Sequence, residues 1–207
     1  MLYVVGAVRG VTQLGNNVYV VRQRSSIIET FSVDTLSPLG EDIHVTGLRN
    51  PNDIVVCSDG ELYVADFIYT MNYYCIWRVS PDGSKYIKWL PQSSSDRFLF
   101  STLSVTSRGL LLTSPPLHCP PCLREYSTTD RQLLRHVMLP EYVNALLHGV
   151  ETSRHTFVIG YLVTSDDEDD QYAVSELFSC HRINDIHRHF NYVAFSLNIY
   201  FFILKLS

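Results

Sequence analysis

The 207-residue sequence has little charge and few of the residues that build extended or disordered proteins. Only 18% of its residues are charged while 46% are hydrophobic, which excludes disorder for the bulk of the chain. With 10 glycines, 9 prolines and no sustained heptads, the sequence also excludes collagen-like and coiled-coil proteins. The composition therefore predicts a folded protein with one large domain or two small ones.

The sequence also lacks an excess of positive charge. Its formal net charge is −5, and the acidic run at residues 166–170 supplies five carboxylates, so the rest of the chain is neutral overall. A protein that binds a phosphate backbone needs a basic face. We therefore expect no nucleic-acid binding, and we interpret the acidic run as a solvated loop.

Signals for secretion are missing as well. The five cysteines are odd in number and irregularly spaced, unlike a secreted disulfide framework. Residues 1–9 lack the basic region and the long apolar run of a signal peptide, and the chain has no Asn-x-Ser/Thr sequon. These absences favour a cytoplasmic protein.

An internal repeat organises what is present. Its clearest copy begins with a short apolar strand, continues through the turn Asp59-Gly60, and follows with an alternating strand that ends at Asp66. An Asp-Gly pair between apolar runs is a strong hairpin signal. A third strand ends at a Pro-Asp-Gly turn, and residues 85–90 supply a candidate fourth strand.

Three further copies keep the skeleton of this unit. The strand centres Tyr19, Tyr63, Leu111 and Phe157 are 44, 48 and 46 residues apart. Repeats of this length with several short strands are typical of propeller blades. We therefore predict an all-β fold, a β-propeller occupying residues 1–190, with about four recognisable blades at approximately 3–46, 47–92, 98–139 and 144–190.

The last segment, residues 191–207, breaks the repeat and is strongly apolar. It is shorter than the roughly 20 apolar residues of a transmembrane helix, and it contains Ser196 and Asn198. We expect no membrane association. Two interpretations stay open: a strand that closes an exposed blade edge, or a non-native ending in place of further blades.

The second copy resembles an NHL repeat, which has a proline before the first strand, an Asp-Gly turn, a Tyr-Val-Ala-Asp strand and a later strand ending in Asp-Gly. The matching residues are Pro51, Asp59, Gly60, Tyr63, Val64, Ala65, Asp66, Ile76, Arg78, Asp82 and Gly83. The other copies keep less of the pattern: Arg22, Pro115 and Gly160 stand near the place of Asp66.

The resemblance to NHL proteins implies mostly binding modules, often attached to other domains such as those of ubiquitin ligases. It also implies two alternatives: six-bladed enzymes of the lactonase or amidating-lyase kind, which hold a metal in the central channel, and RNA-binding propellers with basic faces. Six blades at this period would need about 270 residues. The chain is therefore interpreted as a partial or truncated propeller.

Residues that open the innermost strands are candidates for a binding site, because these strands line the channel of a propeller. They are Asn52 and Asp53 in the second copy, Ser104 in the third and His148 in the fourth. A divalent ion needs three or four converging donors. Since the sequence offers one histidine and one carboxylate here, we predict no metal and no cofactor; the enzyme alternative would use Asp53 and His148.

The motif His118-Cys119-Pro-Pro-Cys122 has three interpretations. Cys-x-x-Cys is found in redox pairs and in zinc sites, and a zinc site could draw its second pair from Cys180 and His181. A redox motif normally stands between a strand and a helix, whereas this one stands between two strands. The sequence favours a proline-stiffened loop and leaves open whether Cys119 and Cys122 pair.

No nucleophile can be tied to a base from the sequence, and no phosphate-binding loop is present. We therefore predict a non-catalytic protein-interaction module, an NHL-like scaffold that binds unknown protein partners through its loop faces. The metal-dependent propeller enzyme is the first alternative and the RNA-binding propeller is the second.

Overall fold

The computed structural model describes residues 6–68, 73–90, 102–113, 122–139, 145–153, 156–164 and 171–179. Within these ranges the chain forms strands and turns and contains no helix. Cys119, the Cys180-His181 pair, the acidic run 166–170 and the segment 191–207 lie outside the described residues. The predictions made for them stay predictions.

The first two sheets are four-stranded, antiparallel and built from strands that are consecutive in the chain. The first contains β1 (Val8–Leu14), β2 (Asn17–Arg22), β3 (Ile27–Ser32) and β4 (Ile43–His44). The second contains β5 (Pro51–Val56), β6 (Leu62–Ile68), β7 (Tyr73–Val79) and β8 (Tyr86–Leu90). β8 lies within residues 85–90, which the sequence predicts as a candidate fourth strand.

The third sheet repeats this order with β9 (Thr102–Val105), β10 (Leu110–Thr113), β11 (Cys122–Tyr126) and β12 (Leu133–Met138). The fourth has three strands among the described residues: β13 (Ala145–Ser153), β14 (Thr156–Thr164) and β15 (Gln171–Ser179). In each sheet, strands that are consecutive in the chain pair antiparallel, so each sheet is a meander of the blade type. The predicted all-β fold of repeated sheets is confirmed.

The chain divides into two compact units. Residues 1–99 with 127–132 form the first unit, and residues 100–126 with 133–207 form the second. The first unit therefore holds the first two sheets, and the strands of the last two sheets belong to the second.

The core of the first unit follows from strand alternation. Alternate residues of β2, β6 and β7 are buried in one cluster, because successive side chains of a strand point to opposite faces. The largest contributors are Tyr19, Ile28, Ile54, Leu62 and Trp77. Since the cluster draws on both sheets, it holds the first sheet against the second.

The turn Asp59-Gly60 forms where the sequence predicts it. β5 and β6 are joined through residues 57–61, and Gly60 has a φ of +76°, a conformation that glycine adopts without steric cost. The Asp59 carboxylate accepts a hydrogen bond from the backbone N–H of Glu61 at 3.2 Å. The local sequence thus fixes this hairpin and, through it, the register of β6.

Candidate functional site

Asn52 and Asp53, the candidates from the second copy, lie side by side on β5 in the first unit. The pairing of β5 with β6 shifts by one residue between Pro51 and Asp53, so Asn52 occupies an irregular position on the strand. The Asp53 carboxylate accepts a hydrogen bond from the N–H of Ile54 at 2.9 Å. Both side chains are half-buried.

Ser104 and His148, the candidates from the third and fourth copies, lie on β9 and β13 of the second unit. Ser104 is 6% exposed, and its hydroxyl donates to the carbonyl of Gly149 at 2.5 Å. His148 immediately precedes Gly149, and its backbone pairs with Gly160 of β14. The structure therefore brings these two residues onto contacting strands, and the Ser104 hydroxyl joins the third sheet to the fourth.

The four predicted residues fall into different units, two in each. Among the described residues, no group of three or more His, Cys, Asp or Glu side chains is arranged to hold a metal ion. A search of the same residues for helices long and apolar enough to cross a membrane finds none. The channel-mouth assignment remains a prediction.

Asp66 is a fully buried carboxylate within β6, which continues past the predicted end of the strand to Ile68. It accepts hydrogen bonds from the backbone N–H of Asn50 at 2.7 Å, from that of Arg49 at 3.2 Å, and from Nε1 of Trp77 at 3.1 Å. The donors are neutral and come from the loop before β5 and from β7. Asp66 therefore connects that loop to the sheet. A buried carboxylate needs such hydrogen-bond donors, because it has lost its contacts with water.

The hydrogen bonds around Asp66 extend to the first sheet through Asn50. The side-chain oxygen of Asn50 accepts a hydrogen bond from the N–H of Arg24, in the turn between β2 and β3, at 3.2 Å. The carbonyl of Asn50 accepts another from the N–H of Phe67 at 3.1 Å. Asp66, Asn50 and Arg24 thus form a chain of polar contacts across the first unit.

A second polar group surrounds the Asp59-Gly60 turn. The hydroxyl of Tyr63 donates to the Asp59 carboxylate at 2.9 Å, and Arg78 lies 3.3 Å from the same carboxylate. Burial, with a smaller contribution from Asp59, raises the pKa of Cys57 to about 12 and raises that of Tyr63 as well. Both side chains are therefore protonated at neutral pH, and this group holds the hairpin in place.

The second unit contains a fully buried carboxylate with charged partners, Glu125 on β11. The Thr106 hydroxyl donates to Oε1 at 2.5 Å, and Oε2 accepts from the guanidinium groups of Arg108 and Arg135. Arg135 lies on β12, at 3.2 Å, and is itself mostly buried. Two cations therefore neutralise this carboxylate.

Glu151 extends the ionic group to β13. It lies 4.0 Å from Arg135 and accepts a hydrogen bond from the N–H of Ser107 at 2.7 Å. The guanidinium of Arg135 also stands 4.9 Å from the centre of the Phe157 ring, within the range of a cation–π contact. Two glutamates and two arginines thus join the third and fourth sheets without net charge.

Sequence reasoning did not identify this ionic group. One signal was available: Glu125 interrupts a strand whose neighbouring residues Leu123 and Tyr126 are buried, and a charged residue in such a strand requires a partner. The identity of the partners depends on the pairing of β11 with β12 and on the packing of β13, which no local pattern reveals.

No family model matches the chain, and no curated protein matches its sequence. Solved structures do match its fold. Hydrazine synthase from Kuenenia stuttgartiensis superposes with a TM-score of 0.65 at 10% identity, covering 84% of this chain and 51% of that one. The β-propeller domain of the trilobed protease from Pyrococcus furiosus, described as having an open velcro topology, gives 0.54 at 12% identity, covering 84% and 54%.

The extracellular domain of a two component system from B. thetaiotaomicron gives a TM-score of 0.52 at 14% identity, covering 86% of this chain and 23% of that one. The chain thus spans about half the length of the first two proteins and about a quarter of the third. At these identities the similarity shows the fold alone. The chain has a propeller-type fold.

Proposed function

We propose that this chain is a non-catalytic interaction module, a propeller-type scaffold that binds protein partners through its loops. One observation carries the proposal: three buried groups suited to chemistry, in the part of the chain that the structure describes, are engaged in bonds between sheets and loops. Asp66 accepts from backbone N–H groups, Glu125 pairs with two arginines, and the Ser104 hydroxyl donates to a carbonyl. These contacts stabilise the fold.

The exposed surface of the first unit supports a binding role. In an antiparallel meander, the first and third connections of a sheet lie at the same end. We call this end the turn face of the first unit, residues 15–16, 33–42, 57–61 and 80–85. It carries Leu36, which is 70% exposed, together with exposed Leu39 and the carboxylates of Asp34 and Glu41.

A mixture of exposed apolar and charged side chains on a long loop is typical of protein interfaces. The ten-residue connection between β3 and β4 provides it, because it is longer than the hairpin turns and presents both leucines. We therefore assign the primary contact surface to the turn face.

The proposal includes the NHL character of the repeat and a cytoplasmic location. The residues shared with that repeat have defined contacts in the first unit: Asp66 in the buried polar chain, and Asp59 with Arg78 at the hairpin. The complete transcript from this locus tests the assignment. Further Tyr-Val-Ala-Asp copies on either side are expected, and flanking sequence without any strand repeat would contradict it.

Cross-linking and affinity capture with the full chain test the interaction role. A specific partner is one whose capture excess unlabelled chain abolishes. The variant Leu36→Asn removes an exposed apolar group at a position with φ of +52°, which asparagine tolerates, so the fold is retained. Ile87→Thr is the matched control, since Ile87 is 45% exposed on β8, outside the turn face.

We expect Leu36→Asn to reduce partner recovery and Ile87→Thr to leave it unchanged, with equal melting temperatures. Equal recovery for both variants would contradict the assignment to the turn face. Absence of any specific partner, in a chain that hydrolyses a lactone or cleaves a glycine-extended peptide, would overturn the interaction role.

A further inference from the structure

The turn face of the first unit contains an open cleft of about 500 Å³. It lies between the connection that leads to β4 and the turn between β7 and β8. Its polar lining comes from Asn17, Thr30, Glu41, Asp42, His44 and Asp82. We call it the acidic cleft, because three of these side chains are carboxylates and no lysine or arginine is among the described residues that line it.

The carboxylates stand at the mouth of the acidic cleft, since Glu41, Asp42 and Asp82 are all exposed. Hydrogen bonds from Ser80 and Ser84 lower the pKa of Asp82 to about 2, so this group is ionised at every physiological pH. Like charges that are held together without a cation repel one another and favour a positively charged ligand.

An independent observation comes from the wall of the acidic cleft. Thr30 on β3 lines it and is 3% exposed, yet its hydroxyl has no hydrogen-bond partner among the described residues. Its backbone groups are paired: the N–H donates to the Asp42 carboxylate at 3.1 Å, and the carbonyl accepts from Leu39 at 2.9 Å. A buried hydroxyl without a partner is unfavourable, and a ligand that donates a hydrogen bond would satisfy it.

We propose that the acidic cleft receives a cationic side chain, an arginine guanidinium or a lysine ammonium, from a partner polypeptide. This inference rests on the proposed interaction role and names the chemistry of the partner. Such a group carries a positive charge and several N–H donors. Its donors would pair with the Asp42 and Asp82 carboxylates at the mouth, and the Thr30 hydroxyl in the wall is the further acceptor that the bound group would satisfy.

The surroundings of the acidic cleft favour a polypeptide as the source of the cation. Leu36 and Leu39 are exposed on the connection that also carries Glu41 and Asp42. An extended chain whose basic side chain enters the cleft can therefore place apolar neighbours against these leucines. Free amines have no such groups and gain only the charge interaction.

Fluorescence anisotropy of the full chain with a fluorescein-labelled hexa-arginine peptide tests the inference. The variant Asp42→Asn/Asp82→Asn removes two charges. Its amide oxygens can still accept hydrogen bonds from the backbone N–H groups of Thr30 and Ser84. We expect about ten-fold weaker binding. Asp166→Asn/Asp167→Asn is the matched control, because it removes two charges from the acidic run, and we expect it to weaken binding much less than the cleft variant does.

A second variant separates a ligand contact from a structural role. Thr30→Val replaces the hydroxyl by a methyl group of similar size. Because this hydroxyl has no partner, we expect several-fold weaker peptide binding at an unchanged or higher melting temperature. Unchanged affinity, or equal weakening by the control in the acidic run, would overturn the inference.

The inference and the proposed function can fail separately. Capture of a specific partner that is as efficient with Asp42→Asn/Asp82→Asn as with the wild type would overturn the acidic cleft and leave the interaction role standing. A chain that captures no specific partner and turns over a substrate would overturn the interaction role, regardless of its affinity for the hexa-arginine peptide.

Discussion

Asp66 and Glu125 are both fully buried carboxylates, one in each unit, yet different partners stabilise them. Asp66 has neutral donors, chiefly two backbone N–H groups and the Trp77 indole. Glu125 has two arginines and a threonine hydroxyl. The first arrangement surrounds the carboxylate with neutral hydrogen-bond donors, whereas the second places positively charged side chains against it.

This difference determines which buried groups lose their partner when the carboxylate is removed. Around Asp66, the unsatisfied groups are neutral N–H donors. Around Glu125, the group left behind includes Arg135, a mostly buried cation. Burying an unpaired charge costs more than burying an unpaired amide. The second unit should therefore depend more strongly on its carboxylate than the first.

Glu125→Gln is expected to give the largest effect. It keeps the shape of the side chain but removes the charge that faces Arg135 and Arg108, so the free energy of unfolding should fall by about 3–5 kcal/mol. Urea denaturation gives the magnitude, and hydrogen exchange should place the loss in β11 and β12. A change below about 1 kcal/mol, the value for an exposed pair, would show that the cluster is solvated.

The thiol of Cys75 offers a chemical reporter for Asp66. Burial, followed by the nearby Asp66 charge, raises the pKa of this thiol from 9.0 to about 12. At pH 8 we expect iodoacetamide to modify Cys75 about a thousand-fold more slowly in the folded chain than in urea. Peptide mapping by mass spectrometry provides the rate.

In Asp66→Asn the folded-state rate of Cys75 should rise, because the neighbouring negative charge is gone. The raised pKa also implies that stability declines as the pH increases from 9 towards 12, since the unfolded chain then loses the thiol proton more easily. Equal modification rates in folded and unfolded chains would contradict the burial of Cys75.

Asp66→Asn should have a smaller effect on stability than Glu125→Gln. The amide oxygen still accepts from Asn50, but the amide nitrogen cannot accept from the Trp77 indole. We expect a loss of about 1–3 kcal/mol, the cost of an unsatisfied buried donor. A loss larger than that of Glu125→Gln would reverse the order on which the comparison depends.

Glu29→Gln should have the smallest effect. Glu29 pairs with Arg22 at 2.9 Å, but the side chains are 27% and 25% exposed, so water screens the interaction. We expect a loss of at most about 1 kcal/mol, decreasing with added salt. A loss as large as that of Glu125→Gln would mean that burial does not determine the strength of these ion pairs.

Much of the fold could be predicted from the sequence because its signals are local. The alternation in Leu62–Ile68, the Asp59-Gly60 turn and the spacing of the strand centres each involve neighbouring or regularly repeated residues. The position of Asp66 on this strand could be predicted in the same way, although the strand itself extends past the predicted end to Ile68. The donors to Asp66 could not, because they depend on how the loop before β5 folds back.

The polar sites were mostly beyond the reach of the sequence. Thr106 and Arg135 meet Glu125 only after β9, β10, β11 and β12 have paired. The acidic cleft draws on a connection without strand alternation and on a turn of the next sheet, so its residues are far apart in the chain. Ser104, a predicted channel-mouth residue, has a structural contact that only the packing of β9 on β13 reveals.

Hydrogen–deuterium exchange of the full chain, with and without a partner captured by cross-linking, tests the interaction role most directly. A bound partner should protect backbone amides at residues 33–42 and 80–85, which carry the turn face and the acidic cleft. Protection confined to residues 51–53, 102–105 and 145–149, with no change at residues 33–42 and 80–85, would place the contact at the channel-mouth residues instead and contradict binding through the turn face.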